Sequence, residues 1–122
     1  MKRPHFRFED LQIWHLAKEL AMAFHKQAEK LEKRGLFRYA EQLRAAGLSL
    51  TNNIAEGSGS LHKREFHQFL NIARRSLFED VSMLLVFESM ELLDEEITTS
   101  LLWKCDDLSR KIMAFMRSKK QT

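Results

Sequence analysis

Residues 36–56 read LFRYAEQLRAAGLSLTNNIAE, and within them apolar or small side chains recur at Leu36, Ala40, Leu43, Gly47, Leu50 and Ile54. The spacings alternate four and three, which places all six on one face of an α-helix and on no single face of a strand. Ala40, Ala46 and Gly47 lack bulk, so a neighbouring helix can approach this face closely. The stretch predicts a helix over 36–56 with a packed stripe.

The flanking sequence repeats the pattern. Upstream, Trp14, Ala17, Leu20, Ala21, Phe24, Ala28 and Leu31 share a broad face at about 100° per residue, predicting a helix over 9–33. Glu9 and Asp10 open it, where the helix dipole favours negative charge, and Lys33-Arg34-Gly35 closes it. Downstream, Gly57-Ser58-Gly59-Ser60 reads as a flexible connection. A helix over 61–92 then carries Phe66, Phe69, Leu70, Ala73, Leu77, Leu84 and Phe87. One over 95–117 carries Ile97, Leu101, Cys105, Leu108, Ile112 and Phe115. Short connections favour antiparallel neighbours, so the expected fold is all-α, a single antiparallel up-and-down four-helix bundle.

Composition agrees with that class. The chain has 122 residues, 44% hydrophobic and 30% charged, enough for one core. Four glycines and one proline are too few for a loop-rich β sandwich or a disordered chain. The one cysteine, Cys105, rules out an internal disulfide and a Cys-x-x-Cys zinc pair. No apolar run reaches the roughly 20 residues of a membrane helix, so no membrane partner is expected. Met1-Lys2-Arg3-Pro4-His5-Phe6 starts basic without an apolar stretch behind it, so a cytoplasmic location is expected.

Catalytic and metal patterns fail one by one. Di-iron bundles use Glu-x-x-His, but Gln12, Met22, Gly59 and Arg64 stand three residues before His15, His25, His62 and His67. His15 with Glu19 and His25 with Glu29 read as surface i,i+4 pairs. Cys105 lies on an apolar stripe, beside Asp106 and Asp107, which would raise its pKa rather than activate it. Ser58 and Ser60 follow no strand, and their loop lacks the lysine of a phosphate-binding loop. The expectation is a protein that is not an enzyme and takes no cofactor.

Two features ask for another explanation. Gln42, Ser49, Asn52, Asn53 and Glu56 form a polar arc on the second helix, where Asn and Ser cost up to about 0.7 kcal/mol each relative to alanine. Glu56 stands where the dipole disfavours an anion, so Arg44, Arg74, Arg75 or the N–H groups of the next loop are candidate partners. A hydrogen-bonded latch and a ligand site are both open. On the third helix, Ile72, Met83, Val86 and Met90 lie about 90–150° from the core stripe, and Trp103 is displaced similarly on the fourth. Exposed apolar faces of this kind mark self-association, with a broad core as the rival reading.

The net charge is +3, with ten Lys and Arg against seven Asp and Glu in residues 1–61 and ten against ten in 62–122. Basic residues form small groups, and Arg3, Arg7, Lys33, Arg34, Lys63, Arg64, Arg74 and Arg75 are the candidate nucleic-acid contacts; Lys119 and Lys120 make a further basic pair in the tail. One copy would bind phosphate weakly, whereas a symmetric oligomer multiplies each group into a ring.

Three segments carry a family resemblance: Phe8-Glu9-Asp10-Leu11-Gln12-Ile13-Trp14, residues 42–57 (QLRAAGLSLTNNIAEG) and residues 66–79 (FHQFLNIARRSLFE). They resemble the small bacterial four-helix-bundle proteins encoded in 23S ribosomal RNA intervening sequences. The resemblance implies a left-handed bundle that assembles into a ring, typically a homopentamer. Relatives implied by it include accessory proteins of diversity-generating retroelements, which partner a reverse transcriptase and bind RNA or DNA through a basic ring surface. Arg44, Ser49, Asn53, Glu56 and Gly57 transfer as a structural or interface constellation rather than an active site. Thr51 and the Glu32-Lys33-Arg34-Gly35 turn depart from the family pattern, which often has proline at both places. The expected function is a self-assembling RNA-binding or nucleic-acid-enzyme accessory protein, and the alternative is a protein adaptor without direct nucleic-acid binding.

Overall fold

The computed structural model describes residues 2–120, with side chains described as far as residue 118. The Lys119-Lys120 pair of side chains therefore lies outside the described set. The chain enters through a 3-10 turn (Arg7–Asp10), then forms α1 (Gln12–Lys33), α2 (Phe37–Ser58), α3 (Lys63–Ser89) and α4 (Glu95–Lys120). Consecutive helices pack side by side, α4 returns to α1, and the diagonal pairs make no close approach. With such short connections this is an antiparallel four-helix bundle, all-α among the described residues. None of its helices is long and apolar enough to cross a membrane.

The core is the sum of the helical stripes. Ala17, Leu20, Phe24, Ala28 and Leu31 from α1 meet Ala40, Leu43, Leu50 and Ile54 from α2. Leu70, Ala73, Leu77 and Leu84 from α3 and Leu101, Cys105, Leu108 and Ile112 from α4 close the other side. Ile13 is buried where Trp14 was expected, and Trp14 packs on the core's edge. Glycine sets the closest helix contact. A Cβ on Gly47 would lie 2.7 Å from the Ala21 Cα, so α1 and α2 touch backbone to backbone there.

Gly57 corrects the expectation of a flexible loop at 57–60. It lies inside α2, buried, and a Cβ on it would sit 2.7 Å from the Phe69 Cβ of α3. Its composition signals a loop, but its use is close packing, and the helix runs on through Ser58. Ser58 is buried too, its hydroxyl donating to the Ala55 carbonyl at 2.7 Å. Thr51 leaves α2 unbroken, donating to the Leu48 carbonyl at 3.1 Å.

The start of α1 also differs. Leu11 is extended (φ −92°, ψ 121°) and separates the 3-10 turn from the helix, which begins at Gln12 rather than Glu9. Glu9 is held by other partners: it accepts from the Phe6 N–H at 2.8 Å and pairs with Arg3, which draws its carboxyl down to about 2. The carbonyl of Glu9 meets the His15 ring at 2.7 Å, so His15 does not make the expected surface pair with Glu19.

The two turns at the far end share one geometry. Gly35 takes φ 77°, with its N–H on the Glu32 carbonyl and that of Leu36 on the Leu31 carbonyl. Glu91 takes φ 60° with the same pair of bonds, Glu91 N–H to Glu88 and Leu92 N–H to Phe87. Both are helix stops with a left-handed residue just past the cap. The second ends α3 at Ser89 instead of Leu92, and sequence did not signal it because glutamate occupies the position glycine usually fills. A side chain there costs roughly 1 kcal/mol. Glu91→Gly should therefore raise stability by about 1 kcal/mol, read as a higher urea midpoint at unchanged slope; no gain would mean that the Glu91 side chain offsets its own strain.

Candidate nucleic-acid interface and flanking surfaces

The antiparallel topology divides the candidate cations between the two ends. One end holds the starts of α1 and α3 and the finishes of α2 and α4, and there Arg3, Arg7, Lys63, Arg64 and Arg117 outnumber the acids Glu9, Asp10, Glu56 and Glu65 by one. The other end holds Lys33 and Arg34 together with Glu88, Glu91, Asp94, Glu95 and Glu96. At 1.5 Å per residue the ends lie about 30 Å apart along α1. The eight candidate nucleic-acid residues therefore do not form one surface. Arg74 and Arg75 stand between, about 16 Å along α3 from Lys63.

Several of these cations have structural duties. Arg7 donates to the Ser58 carbonyl at 3.0 Å, at the C-terminus of α2, and its guanidinium lies 5.2 Å from the Phe66 ring. A cation there complements the dipole and covers an aromatic edge of the core. Arg34 donates to the Glu91 carbonyl at 3.2 Å and ties the two far turns together. Arg3 is paired with Glu9. Arg64 and Arg75 are exposed. Lys63, Arg64 and Glu65 share the first turn of α3, where the dipole favours the acid and opposes the cations.

The signature residues of α2 split by face. Arg44 turns to α1: its Nε donates to His25 Nδ1 at 3.1 Å, and its Nη2 meets Glu32 Oε1 at 2.6 Å. That hydrogen bond holds the Glu32 carboxyl below its usual range and raises Arg44. His25 Nε2 lies 3.6 Å from Glu29, which extends the ladder along α1. Asn53 instead folds back within its own helix, donating to the Ser49 carbonyl at 2.8 Å. Glu56 is exposed, while Arg44 is committed to α1 and Arg74 to α3. The signature thus contains a cross-helix latch at Arg44, a local latch at Asn53 and a packing glycine at Gly57.

An open groove of about 590 Å³ runs between α1 and α2, with Trp14, Met22, Leu48 and Ala55 as its apolar floor and Lys18, Lys26 and Asn52 along its edges. Sequence reasoning missed it, because Met22 and Leu48 each look like single surface residues until the helices are paired. The expected interface residues divide as well. Ile72 and Val86 are exposed on α3 and Met90 at its C-cap, whereas Met83 is half-buried and packs on the core. Trp103, 67% exposed, stands on the side of α4 away from its buried stripe.

Among the described residues no three His, Cys, Asp or Glu side chains converge as a metal set. Burial, then the nearby Asp80, pushes the Cys105 thiol up to about 12, while Asp106 and Asp107 pair outward with Arg110 and Lys111 at 3.0 and 3.3 Å. The expected influence of those two aspartates on the thiol is thus replaced by that of a residue from another helix. Asp80 itself is 5% exposed on the buried face of α3, with Oδ2 lacking a hydrogen-bond partner among the described residues. Burial, then Glu79, raises its carboxyl to about 7.

The raised value has a signed consequence for stability. The native state keeps a proton that the unfolded chain, with an ordinary value near 3.9, has already lost, so stability falls between about pH 4 and 7 and is level above. Asp80→Asn should flatten that slope, and Asp80→Leu should exceed the parent by about 1–3 kcal/mol at about pH 8 in urea unfolding. Equal pH slopes for parent and Asp80→Asn would show that Asp80 is solvated.

Comparison with curated proteins and with solved structures returns no match. The protein-family model described as 23S rRNA-intervening sequence protein matches residues 9–114, nearly the whole bundle including the α2 signature, and the chain belongs to that family.

Proposed function

We propose that this protein is a non-enzymatic, self-assembling bundle that binds RNA in the cytoplasm through the basic end of each copy. The observation that carries the reading is the exposed Arg64 in the first turn of α3, at the same end of the bundle as Arg7 and Arg117. A cation at a helix start opposes the dipole, and a polyanion neutralises it. Family membership supports the same direction without specifying a ligand. Recognition would be electrostatic and shape-based, since phosphate contacts position a nucleic acid without reading its bases.

Assembly amplifies a charge that is modest in one copy. The exposed Ile72 and Val86 on α3, with Met90 at its C-cap, and Trp103 on α4 lie on different faces. Two unlike patches suit a head-to-tail contact, and such contacts close into rings when the rotation permits. In a ring every basic end points the same way, giving one continuous positive rim.

The apolar groove between α1 and α2 favours a second reading, an adaptor that docks a nucleic-acid enzyme such as a reverse transcriptase and does not touch RNA itself. Salt dependence separates the two. An RNA binder should lose at least about tenfold in affinity for a short single-stranded RNA between low and physiological salt. No retention of RNA even at low salt would leave the adaptor reading. For assembly, light scattering should give a multiple of 14.4 kDa for the parent and 14.4 kDa for Val86→Glu or Trp103→Glu, with helicity intact. A parent that is already monomeric overturns the ring.

A further inference from the structure

Between α3 and α4, next to the basic end, a notch of about 330 Å³ is lined by His67, Asn71, Arg74, Met113, Met116 and Arg117. His67, Asn71 and Arg74 follow at i, i+4 and i+7, so α3 presents all three along one edge. His67 Nε2 and Arg74 Nε are shielded from solvent and have no hydrogen-bond partner among the described residues. Shielded polar nitrogens without partners are uncommon, because their desolvation goes uncompensated. The Arg74 guanidinium lies 5.4 Å from the Phe78 ring, which holds its plane while leaving its edge for an acceptor. None of the lining residues is acidic, so two guanidinium groups border the notch without a carboxylate between them.

The two guanidinium groups and the Asn71 amide that line the notch suit an oxyanion with several acceptor oxygens. Arginine matches phosphate in fork geometry, asparagine adds an amide donor, and a histidine ring nitrogen can donate as well. Met113 and Met116 add a soft apolar wall for the sugar or base that accompanies a phosphate. His67 lies one turn along α3 from Lys63 and Arg64, so the notch continues the basic end rather than standing apart from it. We propose that it seats a phosphate group of a bound RNA strand, with Arg74 and Arg117 as the charged donors, Asn71 as an amide donor and His67 alongside. This rests on the RNA reading above and names where on the molecule the backbone is held.

The test uses the full-length protein, a fluorescent oligouridylate and inorganic phosphate. Arg74→Gln with Arg117→Gln should weaken oligouridylate binding by about tenfold and lower the salt slope by about 1. Asn71→Asp, at an exposed position with little risk to folding, should weaken it comparably by placing a negative charge at the notch. The His67 ring resonances should shift with oligouridylate and not with inorganic phosphate at matched concentration. If the parent binds RNA, the variants bind equally and His67 does not move, the notch is wrong while the RNA reading stands. If the parent retains no RNA, both fall, and a His67 shift with inorganic phosphate alone would identify a free-anion site instead.

Discussion

The close approach of neighbouring helices at two glycines of α2 is the constraint on which the rest of this bundle depends. Gly47 lets α1 come within van der Waals distance of the α2 backbone, and Gly57 does the same for Phe69 of α3. With α2 clamped on both flanks, the relative heights of three helices are set, and α4 completes the ring against α1 and α3. A glycine inside a helix is unfavourable by roughly 1 kcal/mol against alanine. Close packing over long stretches of helix offsets that cost, but only while both positions stay without a side chain.

From the same clamp follows the division of the α2 signature into separate tasks. Arg44 faces α1 because it lies on the flank where Leu48 and Ala55 also line the groove, and its bond to Glu32 fixes that flank. Asn53 lies on another part of the surface and spends its amide on the carbonyl of Ser49. The signature residues Arg44, Gly57 and Asn53 therefore serve two helix contacts and one local turn.

Much of the fold was legible because period and punctuation agree over long helices. The stripes of α1, α2 and α4 recur nearly residue for residue in the core, and Gly35 marks its turn by being glycine. Three things were not legible, each for a physical reason. Gly57 reads as a loop because composition does not distinguish a flexible glycine from a packed one. Glu91 does not announce a helix stop because it takes a left-handed conformation that glycine usually fills. Asp80 falls on a stripe position and is passed over as an exception to the apolar pattern, although the structure buries it. Of the candidate surface, the basic residue types were visible in sequence, but their separation into two ends required the topology. The notch at His67 required the pairing of α3 with α4.

The buried carboxylate of Asp80 also bears on how the molecule moves. It sits at the seam between α3 and α4, beside the Cys105 thiol, and an uncompensated polar group weakens the contact that contains it. The α1–α2 pair, by contrast, is held at Gly47 and by the Arg44 bonds. Local opening should therefore start with α4, and amide protons there should exchange with solvent sooner than those of α1 and α2. Once α4 detaches, Cys105 leaves its dry surroundings and the neighbouring acid, and its thiol regains ordinary acidity and reactivity. The lone cysteine, inert in the closed bundle, is thus a native probe of breathing: the rate at which it is alkylated measures how often α4 lifts away.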